Sequence, residues 1–60
     1  MSLFTEVNAA IDEAVWCAEH EDRAQCIVTL GTGYSVMPWF EARHQGLRIL
    51  ETIHPVEDAA

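Results

Sequence analysis

Apolar side chains recur every three or four positions in the first third of the chain, which is the spacing of an amphipathic helix. Ser2 is suited to cap this helix, and Glu6 lies near its positive end. The pattern predicts a long helix over residues 2–20. The residues expected to form its core-facing side are Phe4, Val7, Ile11, Ala14, Val15 and Ala18.

The middle of the chain has the alternation and the β-branched residues of a strand. Residues 25–30 favour a strand, and the Gly-Thr-Gly sequence at 31–33 favours a hairpin turn whose glycines can take positive φ. Residues 34–37 are predicted to return as the second strand, which ends at Pro38. The strand side chains expected to face the long helix are Cys26, Val28 and Leu30.

Proline and glycine mark the ends of the remaining elements. Pro38 suits the start of a short helix over residues 39–45, and Gly46 suits the left-handed residue just after it. Residues 47–53 are interpreted as a last strand, which the following His-Pro sequence stops. Their apolar positions fit neither period, so a helix over the same residues is the alternative.

These elements predict an α+β fold with the order α-β-β-α-β. The long N-terminal helix packs on one face of a small three-stranded sheet, and a short second helix precedes the last strand. The 60 residues (6.7 kDa) are expected to form a single domain over 1–60, with 55–60 as a frayed acidic tail. A body of this size buries about 60 % of its unfolded surface, which disfavours a deep substrate pocket.

The sequence indicates neither a secretory signal nor a membrane span. Its start lacks a basic flank followed by an apolar run, and the uncharged stretch 24–40 contains two glycines and a proline. Two cysteines, Cys17 and Cys26, are too few for the disulfide framework of a secreted protein, so we expect reduced thiols. These features favour a cytoplasmic protein.

The motifs that could carry chemistry are incomplete. The glycines at 31–33 lack the lysine of a phosphate-binding loop, and the chain contains no lysine. Cys17 and His20 lie three positions apart, but the cysteine and histidine spacings match no zinc pattern. No serine or cysteine has a recognisable base beside it. We therefore expect no catalytic residue, no cofactor and no metal site.

Charge is distributed unevenly along the chain. The formal net charge is −7, and residues 1–22 hold six carboxylates with no lysine or arginine. Direct binding to nucleic acid or to an anionic membrane is therefore not expected. On the long helix the carboxylates repeat two turns apart, away from the core: Glu6 with Glu13, and Asp12 with Glu19. Such a row offers a phosphate-binding protein anionic oxygens, and the alternative interpretation is a solubilising surface.

Trp16 lies outside the apolar stripe of the helix. Its neighbours on the helix surface are polar: Asp12, Glu13, Glu19 and His20. A large aromatic side chain gains little there unless it packs sideways or meets a partner, and such positions are typical of binding hot spots. The alternative is that Trp16 covers the margin of the sheet or a loop near the short helix. Trp39 and Phe40, which follow a proline, are expected to close the small core.

In length, acidity and compact α+β layout, the chain resembles the small phage-borne anti-CRISPR inhibitors, in particular the acidic members that imitate DNA. The resemblance covers the whole chain as a type and carries no residue assignment. It implies an inhibitor that occupies the basic DNA-binding or PAM-reading surface of a CRISPR surveillance complex. It also implies action in the cytoplasm of the host cell.

The sequence thus favours a non-enzymatic inhibitor that competes with nucleic acid for a basic protein. The expected partner is a basic nucleic-acid-binding protein, a CRISPR effector subunit by the resemblance, and we expect a monomer rather than a homodimer. The predicted partner-binding residues are Glu6, Asp12, Glu13, Trp16, Glu19, Glu21 and Asp22. Two alternatives stay open: a small assembly module that self-associates through a sheet edge or the second sheet face, and an antitoxin-like inhibitor of a basic protein.

Overall fold

An antiparallel sheet lies between two helices of unequal length. The computed structural model describes residues 3–55. Within them the elements are β1 (Leu3–Phe4), α1 (Val7–Glu21), β2 (Gln25–Leu30), β3 (Gly33–Pro38), α2 (Trp39–Gln45) and β4 (Ile49–Ile53). The strand order is β1-β3-β2-β4. The predicted α+β class and the order of its main elements are confirmed, but the described sheet has four strands instead of three.

The additional strand is β1, which occupies positions predicted to be helical. Its two residues pair with Ser35 and Tyr34 of β3, and α1 begins only at Val7. The pairing supplies hydrogen bonds to the backbone of β1, and it lets Phe4 enter the core from a strand rather than from the helix.

The ends of α1 are formed without the predicted serine cap. Glu6 precedes the helix in an extended conformation, with φ −122° and ψ 136°, and its side chain makes no capping hydrogen bond. The predicted cap, Ser2, lies outside the described residues. Asp22 ends the helix in the left-handed region at φ 54°.

The two glycines of the predicted hairpin have different roles. Gly31 has φ 60°, as expected for the turn, but Gly33 is not in the positive-φ region. A Cβ atom at Gly33 would lie 2.9 Å from Cγ of Leu3 and 3.0 Å from the carbonyl oxygen of Phe4. Gly33 therefore leaves room for β1 beside β3, and of the two glycines only Gly31 uses the positive φ that the turn allows.

Each face of the sheet is covered by a different helix. On the α1 side the buried cluster contains Ala10, Ala14 and Ile27. On the α2 side it contains Cys26, Val28, Met37 and Ala42, with Leu30 packed against it. The predicted direction of the β2 side chains is therefore wrong, since Ile27 faces α1 and its neighbours face α2. Both faces of β2 are buried over Gln25 to Val28, so alternation of polarity could not distinguish them.

Helix α1 contacts the sheet through small residues. Ala10, Ala14 and Ala18 are fully buried, whereas Val7 and Val15, both predicted to be core, are 39 % and 37 % exposed. Because alanine side chains are short, the helix lies close to the sheet, and the valines fall on the flanks of the contact. The side of α1 that is buried against the sheet is consequently narrower than the stripe of apolar residues that the sequence shows on this helix.

The end of the described chain agrees with the sequence pattern. Helix α2 spans the predicted residues, and Gly46 follows it at φ 67°, donating its N–H to the carbonyl groups at its C-terminus. The last element is a strand, β4, which pairs with β2 through a register shift that leaves Leu50 45 % exposed. This bulge is the reason that residues 47–53 match neither period. Residues 56–60 of the predicted acidic tail lie outside the described part of the chain.

Neither α1 nor α2 is long and apolar enough to cross a membrane.

Candidate protein-binding surface on helix α1

The outward face of α1 is centred on Trp16. Because the alanine stripe fixes which side of the helix meets the sheet, a residue two positions after Ala14 points away from it. The Trp16 side chain is 55 % exposed. The sequence alternative in which it covers the margin of the sheet is thus not what the structure shows.

Three carboxylates surround Trp16 at a distance of one helical turn. Asp12 and Glu13 lie on the turn before it and Glu19 on the turn after it, and all three are exposed. Within residues 3–55 the one ion pair joins Arg23 Nε to Glu21 Oε1 at 4.0 Å, so none of these three carboxylates has a cationic partner there. We call these four residues, Asp12, Glu13, Trp16 and Glu19, the α1 surface.

His20 holds the indole of Trp16 in place. The two rings stack with their centroids 3.7 Å apart and their planes 19° apart. The His20 Nδ1 atom lies 2.9 Å from the carbonyl oxygen of Trp16, which fixes the imidazole against the helix. The side of the indole toward the N-terminus borders an open hollow lined by Ala9, Asp12, Glu13 and Trp16. An aromatic side chain that is already ordered loses less conformational entropy when a partner binds it.

Cys17 borders the α1 surface as a neutral thiol. Its Sγ donates a hydrogen bond to Glu13 Oε2 at 3.5 Å. Burial raises the pKa of the Cys17 thiol above its ordinary value, and the hydrogen bond and negative charge of Glu13 raise that pKa further. Among residues 3–55 no group of three or more histidine, cysteine or acidic side chains is placed to hold a metal ion.

The remaining predicted residues lie apart from this surface. Glu6 precedes the first turn of α1, and Asp22 ends the helix. Glu21 Oε1 accepts a hydrogen bond from Gln25 Nε2 at 3.4 Å and pairs with Arg23, so it is engaged near the start of β2. The structure thus brings Asp12, Glu13, Trp16 and Glu19 together and leaves Glu6, Glu21 and Asp22 outside the group.

Two residues of this region were not among the predicted binding residues. Ala9 lies seven positions before Trp16, and its small side chain leaves the hollow open. His20 lies four positions after Trp16 and stacks on it. The helical spacing already placed His20 beside Trp16, and it places Ala9 two turns before Trp16 on the same face.

A second group of exposed aromatic residues lies at the start of α2. Trp39 is 44 % exposed and Phe40 is 55 % exposed, so the prediction that they close the core is wrong. Ala42 is the buried residue of this short helix, and it turns the two aromatic side chains outward.

No family model, no curated protein and no solved structure matches this chain.

Proposed function

We propose that the protein is a non-enzymatic inhibitor that places the α1 surface in the nucleic-acid-binding site of a basic protein, as an anti-CRISPR DNA mimic would do on a CRISPR surveillance complex. The observation that carries the proposal is the exposed, stacked Trp16 among three carboxylates that have no cation beside them in the described chain. The proposal implies action in the cytoplasm of the host cell.

The carboxylates supply the chemistry that a phosphate-binding site recognises. Arginine binds a carboxylate through the same two parallel N–H donors that it uses for phosphate. Asp12 and Glu19 are about 10 Å apart along the helix axis, from a rise of about 1.5 Å per residue. These two carboxylates can therefore bind two different cationic side chains in a groove whose usual ligand is a nucleic-acid backbone.

Trp16 supplies the part of the contact that charge alone does not. A large aromatic side chain at the centre of a surface, with polar groups around it, is the arrangement in which a few residues carry most of the binding free energy. The surrounding carboxylates steer the encounter with a basic partner and fix its orientation.

The first test measures inhibition of DNA binding by purified CRISPR surveillance complexes of several types, with labelled target DNA as the reporter. The variant Asp12→Lys with Glu19→Lys is expected to lose at least about 100-fold in inhibition, roughly 2.7 kcal/mol, because it reverses two charges in the contact. The matched variant Glu41→Lys with Glu51→Lys changes the net charge equally on other elements and should inhibit like the parent protein.

The second variant separates Trp16 from the charges. Trp16→Ala is expected to weaken inhibition by about 30-fold or more, the size of a hot-spot residue. Leu50→Ala removes another exposed apolar side chain and should have no effect on inhibition. Circular dichroism and thermal melting must match the parent protein for each variant. Inhibition that survives both α1 variants, or that is lost equally in the controls, contradicts the proposal.

An antitoxin-like inhibitor of a basic toxin would use the same residues on another target. It predicts that no surveillance complex is inhibited, while a purified basic toxin is neutralised by the parent protein and not by the Asp12→Lys, Glu19→Lys variant. Self-association through the second face of the sheet is disfavoured as a function, because α2 packs on that face with Ala42.

A further inference from the structure

The start of α2 carries an aromatic group that arginine side chains partly cover. Cζ of Arg43 lies 5.2 Å from the ring centroid of Trp39, and Cζ of Arg23 lies 5.6 Å from that of Phe40. A backbone hydrogen bond of 3.1 Å from the N–H of Trp39 to the carbonyl of Ala24 holds the two segments side by side. We call Arg23, Trp39, Phe40 and Arg43 the α2 surface.

The α2 surface holds two of the three arginines of a chain whose net charge is −7. The acidic residues nearest to these arginines in the sequence are Glu21, Asp22 and Glu41. Within residues 3–55 Arg43 makes no ion pair, whereas Arg23, whose side chain is 52 % exposed, lies 4.0 Å from Glu21 in an exposed pair. A guanidinium group stacked on a ring keeps its N–H edge free to bind a carboxylate. The surface therefore fits an acidic partner that also presents an aromatic side chain.

The α1 surface has that chemistry, and among residues 3–55 none of its carboxylates pairs with an arginine of the same molecule. Helix α1 packs on one face of the sheet and α2 on the opposite face. Two copies of the chain can make the contact that one copy does not make.

We propose that a second copy of the chain docks its α1 surface on the α2 surface of the first, with carboxylates on Arg23 and Arg43 and Trp16 beside the exposed aromatic rings. The contact joins two different surfaces, so one copy of the pair keeps its α1 surface free, the other keeps its α2 surface free, and head-to-tail association can continue. This inference rests on the proposed function and deepens it, because association hides the α1 surface and a basic target must compete with it.

The charge of the whole molecule limits the strength of this contact. Two copies of charge −7 repel each other, but at about 0.15 M salt that repulsion is screened over about 8 Å, while pairs in direct contact are screened much less. The self-associated form is therefore expected at high protein concentration, and dilution releases the monomer that inhibits the target.

The test uses sedimentation velocity on two variants in which charges are neutralised. One variant, Asp12→Asn with Glu13→Gln and Glu19→Gln, keeps the α2 surface but loses the α1 carboxylates. The other, Arg23→Gln with Arg43→Gln, keeps the α1 surface but loses the guanidinium groups. The parent protein is expected to gain mass as its concentration rises from about 10 µM to about 1 mM, in the range of weak association. Each variant alone is expected to stay a monomer.

Mixing the two variants gives the decisive result. One intact α1 surface and one intact α2 surface remain in the mixture, so it is expected to form dimers of one copy of each variant and nothing longer. Arg48→Gln and Glu51→Gln are the matched controls, since each changes one charge outside both surfaces and should associate like the parent protein. A parent protein that stays monomeric, a mixture that stays monomeric, or variants that self-associate alone would each overturn the inference.

This experiment also separates the inference from the proposed function. The Arg23→Gln, Arg43→Gln variant retains the α1 surface, so it should inhibit a surveillance complex with at least the potency of the parent protein. Self-association without inhibition of any basic target supports the docking contact and contradicts the proposed function. Inhibition without complementation in the mixture supports the proposed function and contradicts the docking contact.

Discussion

Ser35 places a hydroxyl group in the interior of the protein without a hydrogen-bond partner. The side chain is fully buried in β3, and Oγ has no partner among the described residues. Its side chain lies on the same face of β3 as Met37, toward the cluster formed with Cys26 and Ala42. A buried polar group that makes no hydrogen bond lowers the stability of the folded state, because it loses its bonds to water.

Ser35→Ala is therefore expected to raise the free energy of unfolding by about 0.5–2 kcal/mol. The substitution removes the hydroxyl group and leaves the small side chain that this position requires. Urea denaturation followed by circular dichroism measures the change. Thr32→Ala, which removes a hydroxyl from the exposed turn, should change the free energy of unfolding by less than about 0.5 kcal/mol. A clear loss of stability in Ser35→Ala would show that the hydroxyl has a partner.

At the residue scale the sequence predicted on which side of α1 Trp16 lies, but it did not predict the ring stack between Trp16 and His20. Helical spacing alone places Trp16 outside the apolar stripe and beside Asp12 and Glu13. The ring stack with His20 depends on the rotamers of both side chains, which a spacing rule does not contain. The exposure of Trp39 was not predicted because the orientation of a two-turn helix is decided by where Ala42 packs.

At the element scale, β1 depends on the absence of a side chain at Gly33. A Cβ atom there would lie 2.9 Å from Cγ of Leu3 and 3.0 Å from the carbonyl oxygen of Phe4. Both distances are shorter than ordinary van der Waals contacts. β1 is only two residues long, so it has few other interactions that could hold it in the sheet.

Gly33→Ala is expected to lower the free energy of unfolding by about 1–3 kcal/mol, because β1 must shift to accommodate the methyl group. The same substitution in a Leu3→Ala background should cost less, since the nearest side-chain atoms are then gone. Urea denaturation of the two single variants and the double variant measures this difference. An equal cost in both backgrounds would mean that Leu3 does not approach Gly33.

The elements that local signals define were predicted well, and those that depend on distant pairing were not. Pro38, the turn at Gly31 and the left-handed Gly46 determine α2 and the hairpin from within a few residues. Leu3 and Phe4 fit the helical period as well as a strand, and only the open edge of β3 decides between them. The facing of β2 was wrong because Ile27 and Val28 are equally apolar and equally buried.

At the scale of the whole molecule, negative charge is concentrated on and around α1. The α1 surface is negative, and the arginines near α2 lie on the other side. A molecule of this kind approaches a cationic groove with α1 foremost, because its electric field turns it before contact. Orientation of this sort changes the rate of association more than the lifetime of the complex.

The association rate constant with an inhibited surveillance complex is therefore expected to fall by about tenfold between roughly 0.05 and 0.5 M NaCl, as the Debye length shortens from about 14 to about 4 Å. The dissociation rate constant should change much less, because the apolar contact of Trp16 slows dissociation and salt does not screen that contact. Surface plasmon resonance across a salt series measures both. An association rate that is independent of salt would show that the carboxylates do not direct the encounter.

The bulge in β4 has a consequence for how this small protein behaves when it is crowded. β4 is an edge of the described sheet, and its register shift at Leu50 interrupts the row of backbone groups that a strand from another molecule would need. The exposed carboxylate of Glu51 adds like-charge repulsion along that edge. Backbone pairing with a strand of another molecule is thereby disfavoured at β4.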